Sequence, residues 1–347
     1  MSRLMLQPES DKLLKRRLYL QRFVTSVFND ITNANRALDR DLVALLANFI
    51  ADADDKTLSA LADRRTSNKA AKALLADMKK IVALQRANAW VIVREQADEL
   101  IPREVAITTA AMKMGKGPGV RGIASLPIAG RNPADILPLA FTQYADRLTS
   151  EVAKAASTPA DMVRMVRGTR SKRFRDGLFF WRNERYIRPN VDQIINGTAS
   201  NAAEHVYKHF KIELVDHVAT LDYSTCARCY KAEMEGPYET GKQPKLPIHP
   251  RCRCASLPHL SDDAEDQNVR PYMRAKKLRD IPDEQRDGKT GRTRDNIAQF
   301  FNRMGRADRR AYMGKKRFEL YEEGKIDMGD LVRERSLRPL RLDELPD

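Results

Sequence analysis

CARCYKAEMEGPYETGKQPKLPIHPRCRC, residues 226 to 254, holds every cysteine of the chain and one of its five histidines. Cys226 and Cys229 form a C-x-x-C, and His249, Cys252 and Cys254 follow as H-x-x-C-x-C. A C-x-x-C knuckle sets two sulfurs on one side of a tight turn, and a second short pair can complete a tetrahedron around an ion such as zinc. Five candidates, Cys226, Cys229, His249, Cys252 and Cys254, compete for four positions. The favoured set is Cys226, Cys229, His249 and Cys252, with the second pair approaching through a turn at Pro250. Cys254 is then an outer thiol, or a core residue at the start of the apolar CASLP strand. The rival all-cysteine set asks both sulfurs of the C-x-C to face one ion, against the alternation of an extended chain. Free buried cysteines, or a disulfide formed on oxidation, are the plainer alternative.

The spacing points to a structural ion. A catalytic metal keeps an open position beside an acid or base. Here there is no H-E-x-x-H, and His249 is followed by Pro-Arg where zinc deaminases have x-Glu. Thr225 precedes Cys226, so the deaminase P-C-x-x-C is also missing. A structural zinc contributes about 10–16 kcal/mol in small modules, comparable to the stability of a whole domain. That suits an irregular loop expected to have little core of its own. Glu233-Met-Glu235 is an E-x-E, but between ligands it reads as loop surface. His205, His209 and His217 read as surface or capping residues, although His205 and His209 stand one helical turn apart.

Outward from this segment the chain divides into four expected regions. Residues 1–110 are rich in Ala, Leu, Lys, Arg and Asp and read as almost wholly helical from about residue 10. Leu75, Met78, Val82, Ala89 and Val93 mark one apolar stripe along a long helix. Residues 111–137 carry Gly115, Gly117, Pro118, Gly119 and Gly122 and later prolines, so they form a linker or extended arm. The glycines beside Lys116 lack the spacing of a phosphate loop. Residues 138–260 hold helices near 138–170 and 190–210, then the cysteine segment. In the second helix Val191, Ile194, Ile195, Ala202, Val206 and Phe210 share a face. Residues 261–347 are basic and partly helical, with Ile297, Phe300, Phe301 and Met304 at i, i+3, i+4, i+7 spacing. The fold class expected is α+β, a mainly helical N-terminal part followed by a smaller α+β module braced by a Cys/His metal site.

Charge indicates the partner. The 347-residue chain carries a formal +15, which calls for a polyanion, nucleic acid before membrane. No apolar run approaches the roughly 20 residues that span a bilayer, and the charged N-terminus has no apolar signal core. Arg164, Arg167, Arg170, Lys172, Arg173, Arg175, Arg182, Arg185 and Arg188 accompany Phe179, Phe180, Trp181 and Tyr186. Arginines neutralise phosphates and aromatics stack on bases, so this stretch is the expected DNA contact. The plainer reading buries the aromatics and leaves the arginines as a solvated or ion-paired surface.

The segment ATLDYSTCARCYKAEMEGPYETGKQPKLPIHPRCRCASLP resembles the signature of phage minor head proteins, the Mu F-like head morphogenesis family. Asp222, Ser224, Thr225, Cys226, Cys229, Gly236, Tyr238, Gly241, Pro247, His249, Pro250, Cys252, Arg253 and Cys254 fit that pattern. Asn201 and Ala202 before it, and YMGKKRFELYEEGKIDMGDLV after it, resemble the family's C-terminal region. The resemblance is loose over residues 95 to 335 and specific over 220 to 258. Leu246-Pro247 stands where a double proline is usual, and Tyr223 where a basic residue often stands; neither is a proposed ligand. The resemblance implies a structural minor capsid protein of a tailed phage, without enzymatic turnover. Its implied partners are the portal protein, the major capsid protein or scaffold, and double-stranded DNA bound without regard to sequence. The implied place is the virion near the portal vertex, with host cytoplasm during assembly. The rival functions are a metal-dependent nuclease or other DNA-processing enzyme and, more remotely, an ADP-ribosyltransferase-like domain.

Overall fold

A computed structural model describes residues 7–63, 68–167, 178–221, 225–249, 252–259, 270–273, 290–293, 296–333 and 339–345. The protein is mostly helical with a small three-stranded antiparallel sheet. No described helix is long and apolar enough to cross a membrane. Two compact units emerge, and both are discontinuous in sequence. One comprises residues 22–99 and 124–195, the other residues 1–21, 100–123 and 196–347. The expected linear division cuts the chain differently from compactness.

Among the described residues, the regular elements of the first unit are helices. It draws on α1 (Gln7–Ala34), α2 (Arg36–Asp52), α3 (Asp55–Ala62), α4 (Lys69–Ala111), α5 (Pro133–Ala156), α6 (Pro159–Arg167) and α7 (Leu178–His209). Asp54 caps α3 by accepting from the Thr57 N–H at 2.8 Å. Asn132 caps α5 by accepting from Ala134, with Pro133 in the first helical position. The stripe on α4 is as expected: Met78, Val82, Ala89 and Val93 are buried and Leu75 lies at its edge. Gln85 sits inside that stripe, fully buried, and donates to Asp39 Oδ1 at 2.7 Å. Its backbone carbonyl accepts from Asn35 Nδ2 at 3.2 Å. Burial pushes Asp39 up to about 6, with the Gln85 hydrogen bond working against it.

One expectation about α7 is corrected. The helix starts at Leu178 and passes through Pro189, where a start near residue 190 was expected. An interior proline costs ~3 kcal/mol or more, but Ile187 and Val191 are buried on either side of it. Each such burial returns roughly 1.5–3 kcal/mol. The expected apolar face is buried at Val191, Ile194, Ile195, Ala202 and Val206, and from 191 to 199 every residue is buried, including Asp192, Gln193, Asn196 and Thr198.

In the second unit, β1 (Leu214–Val218) is the central strand between β2 (Tyr238–Glu239) and β3 (Ala255–Pro258). Val215 packs with Ile101, Val105, Ala202, Val206 and Tyr207, so β1 rests on α4 and α7. Tyr207 donates its hydroxyl to the Ser256 carbonyl at 3.0 Å. A hairpin of β4 (Arg270–Met273) and β5 (Thr290–Thr293) follows. The chain then forms α9 (Ile297–Arg303), α10 (Arg306–Met313) and α11 (Lys315–Glu322). Asn296 and Gln299 close a capping box at the start of α9. Ile297, Phe300, Phe301 and Met304 are all buried, as their spacing predicts.

Their partner is the cysteine segment itself. Cys229, Cys252, Cys254, Leu221 and Leu246 share one core with Ile297, Phe300, Phe301, Met313 and Phe318. The loop expected to have little core of its own shares one with residues of α9, α10 and α11.

Candidate metal centre

The elements around the loop deliver its side chains from several directions. Cys226 is the N-cap of α8 (Ala227–Met234), and Cys229 lies in its first turn, so the knuckle is the start of a helix. Thr225 is tied down on both sides: its hydroxyl donates to the Thr220 carbonyl, and its own carbonyl accepts from the Tyr312 hydroxyl. On the far side of the loop, the Cys252 N–H donates to the His249 carbonyl at 3.0 Å. Gly241 takes φ +98, in the left-handed region, and a Cβ there would meet Lys208 Cε at 3.1 Å. Glu204 on α7 receives Lys245 from the loop and Lys208, both at 2.7 Å. Burial raises the Glu204 carboxyl, but those hydrogen bonds outweigh it and leave the group below its ordinary range.

The donor atoms converge. Cys226 and Cys229 sulfurs are 3.7 Å apart, and His249 Nε2 lies 3.0 Å from the first and 3.4 Å from the second. Cys229 and Cys252 sulfurs are 3.8 Å apart. Metal–sulfur bonds of about 2.3 Å and metal–nitrogen bonds of about 2.0 Å imply tetrahedral edges of roughly 3.8 and 3.5 Å. The two sulfur–sulfur separations and the Cys229–His249 separation match those edges, the Cys226–His249 separation is shorter, and Cys226, Cys229 and His249 can hold a metal ion. All four cysteines are free thiols, so the disulfide alternative is not realised.

Cys254 is a buried core residue just before β3, one of the two places expected for it. Alternation was expected to part the two sulfurs of the C-x-C, yet residues two apart on an extended chain share a face. The Cys254 sulfur lies within 4.8 Å of the Cys229 sulfur. His217 requires a correction. It is 2% exposed, where a surface or capping place was expected, and its ring lies with Cys229 and Cys254, all donor atoms within 4.8 Å. Strand pairing puts it there. His217 is opposite Ser256 in the β1–β3 register, and Ser256 is two residues beyond Cys254 on the same face.

Protons are divided among these thiols. Donation from Cys229, with His249 alongside, holds Cys226 down to about 4 against the effect of burial. Cys229 is pushed far up because it donates to Cys226, with Cys252 and Cys254 adding to the effect. Donation from Cys229 and Cys254 holds Cys252 well below the usual thiol value. Cys229 also pulls Cys254 down, but Cys252 and complete burial outweigh it. A divalent cation takes the place of the shared protons when thiols become ligands.

The remaining candidates fall elsewhere. Glu233, first of the E-x-E, accepts from the Ala219 N–H at 2.7 Å and the Ile297 N–H at 2.8 Å. Glu235 pairs with Lys231. His205 lies against the Gly119 carbonyl at 3.0 Å, and His209 against the Phe210 ring. Of the expected DNA contacts, Arg164 is exposed and pairs with Asp161. Arg188 is only partly exposed, sits over the Phe28 ring at 5.9 Å and donates to Thr25 Oγ1 at 3.1 Å. Those two contacts engage its guanidinium within the helical unit. Arg170, Lys172, Arg173 and Arg175, and the side chains of Arg167, Arg182, Arg185, Phe179, Phe180 and Trp181, lie outside the described residues.

Fold and site together define a mostly helical protein with a buried Cys/His cluster able to hold a metal ion. Comparison with protein-family models, with curated proteins and with solved structures finds no match.

Proposed function

We propose that the chain is a metal-braced structural protein of the Mu F-like kind, a minor head protein that docks on a phage portal and touches packaged DNA non-specifically. The observation that carries this reading is the convergence of Cys226, Cys229, His249, Cys252 and Cys254. These residues supply the resemblance, and the fold gathers them into one cluster. Thiolate-rich tetrahedral donors favour zinc. A structural role is supported by the seating of the donors in a core shared with α9 to α11. It is supported also by Glu233, whose carboxylate is engaged by two backbone N–H groups and so is not poised as a general base. The positive charge gives the protein a reason to lie beside a genome.

Co-expression with the portal and major capsid proteins of the same genome tests the reading. The chain is expected to co-sediment with the portal, and a chain that sediments alone refutes the docking. Incubation with linear and nicked DNA plus divalent ions is expected to leave the DNA intact. Cleavage abolished by His249→Ala would establish the nuclease alternative instead.

A further inference from the structure

We propose that the cluster holds two divalent ions bridged by the thiolates of Cys229 and Cys252. The inference rests on the reading of this segment as a metal site and goes beyond it in stoichiometry, in architecture and in adding His217 as a ligand.

Two triads overlap at one sulfur. Cys226, Cys229 and His249 form one group of donor atoms within 4.8 Å, and His217, Cys229 and Cys254 form the other. Cys252 joins the two groups through Cys229, whose sulfur lies 3.8 Å from its own. One ion then takes Cys226, Cys229, His249 and Cys252. The second takes His217, Cys254 and the same two bridging sulfurs. Six residues thereby fill two four-coordinate shells, and the Cys229–Cys252 separation is about one tetrahedral edge, as two tetrahedra sharing an edge require.

Charge points the same way. One ion on Cys226, Cys229, His249 and Cys252 carries three thiolates, leaves a net negative charge, and places the soft donors Cys254 and His217 outside the shell. Two doubly charged ions with four thiolates and two neutral imidazoles are neutral in sum. Cys229, Cys252, Cys254 and His217 are each at most 4% exposed, and an uncompensated charge at that depth is strongly disfavoured. The second shell is assembled by long-range strand pairing, since β1 carries His217 and the approach to β3 carries Cys254.

The test uses the full chain loaded with Zn2+, freed of excess by gel filtration and analysed for metal per chain. Two ions are expected, falling to one in His217→Ala and in Cys254→Ser, with helical circular dichroism retained. One ion in the wild type, unchanged in both variants, would overturn the bridged pair while leaving the single-ion reading intact. No ion at all would overturn both. Should the variants fail to fold, the wild type loaded with 113Cd decides: two resonances, both coupled to the Cys229 β-protons, are expected, and a single resonance refutes the bridge.

Discussion

Cys229 and Cys252, 23 residues apart in sequence, hold their sulfurs 3.8 Å from each other in the interior of the second compact unit. Cys229 also touches Cys226 and His249, and so is the hub of the cluster. Cys229→Ser is therefore expected to lose bound metal altogether. Structural zinc supplies about 10–16 kcal/mol in small modules, so melting should move down by well over ten degrees. Metal analysis and calorimetry on the same sample check this, and His209→Ala serves as a control expected to change neither.

Glu233 offers a sharper mutational contrast. Its two oxygens accept from the Ala219 and Ile297 N–H groups, whereas Glu235, itself exposed, makes one 3.5 Å pair with Lys231. Glu233→Gln sets an amide donor against a backbone donor and is expected to cost about 2–3 kcal/mol in urea unfolding. Glu235→Gln should change stability by less than about 0.5 kcal/mol.

Asp39 sets a pH dependence in the helical unit. Its folded-state value of about 6 lies above the unfolded value of 3.8. The folded state therefore binds the proton more tightly, and its contribution is fully present below about 4 and lost as pH rises through 6. Asp39→Asn keeps an acceptor for Gln85 and is expected to stabilise the protein at pH 7 by about 1 kcal/mol, after allowance for solvent screening. The advantage should vanish near pH 4, as thermal melts at the two pH values would reveal.

Arg164 and Arg188 came from one basic stretch but should behave differently. Arg164 is exposed, so Arg164→Glu is expected to weaken DNA binding several-fold and to reduce its salt dependence. Arg188→Ala removes a cation–π contact with Phe28 and a hydrogen bond to Thr25, and should cost about 1–2 kcal/mol of stability. Salt-titrated gel shifts and denaturant unfolding separate the two.

The cluster was legible where its signal is local. The C-x-x-C spans about one helical turn, and short-range chain geometry brings its two sulfurs together. His217 was not legible, because strand register alone brings it to Cys254 and nothing near residue 217 encodes that register. The contacts of Arg188 were hidden for a similar reason, since Thr25 lies 163 positions away in sequence. The helix through Pro189 shows tertiary burial overriding a local breaker. By contrast the stripe on α4 and the Ile297–Met304 pattern were plain, since periodicity reports one-sided burial directly.

The order in which a ribosome delivers this chain gives the Glu233 brace a further consequence. Cys254 emerges well before Ile297, whose N–H Glu233 holds, and before Tyr312, whose hydroxyl reaches the Thr225 carbonyl. A chain stopped short of residue 297 keeps every cysteine but lacks α9 to α11, whose residues share the cysteines' core. Truncated products should then load metal weakly and be more open to proteolysis than the 347-residue chain. Through Glu233, any ion held by the cluster would be coupled to residues translated well after its own ligands.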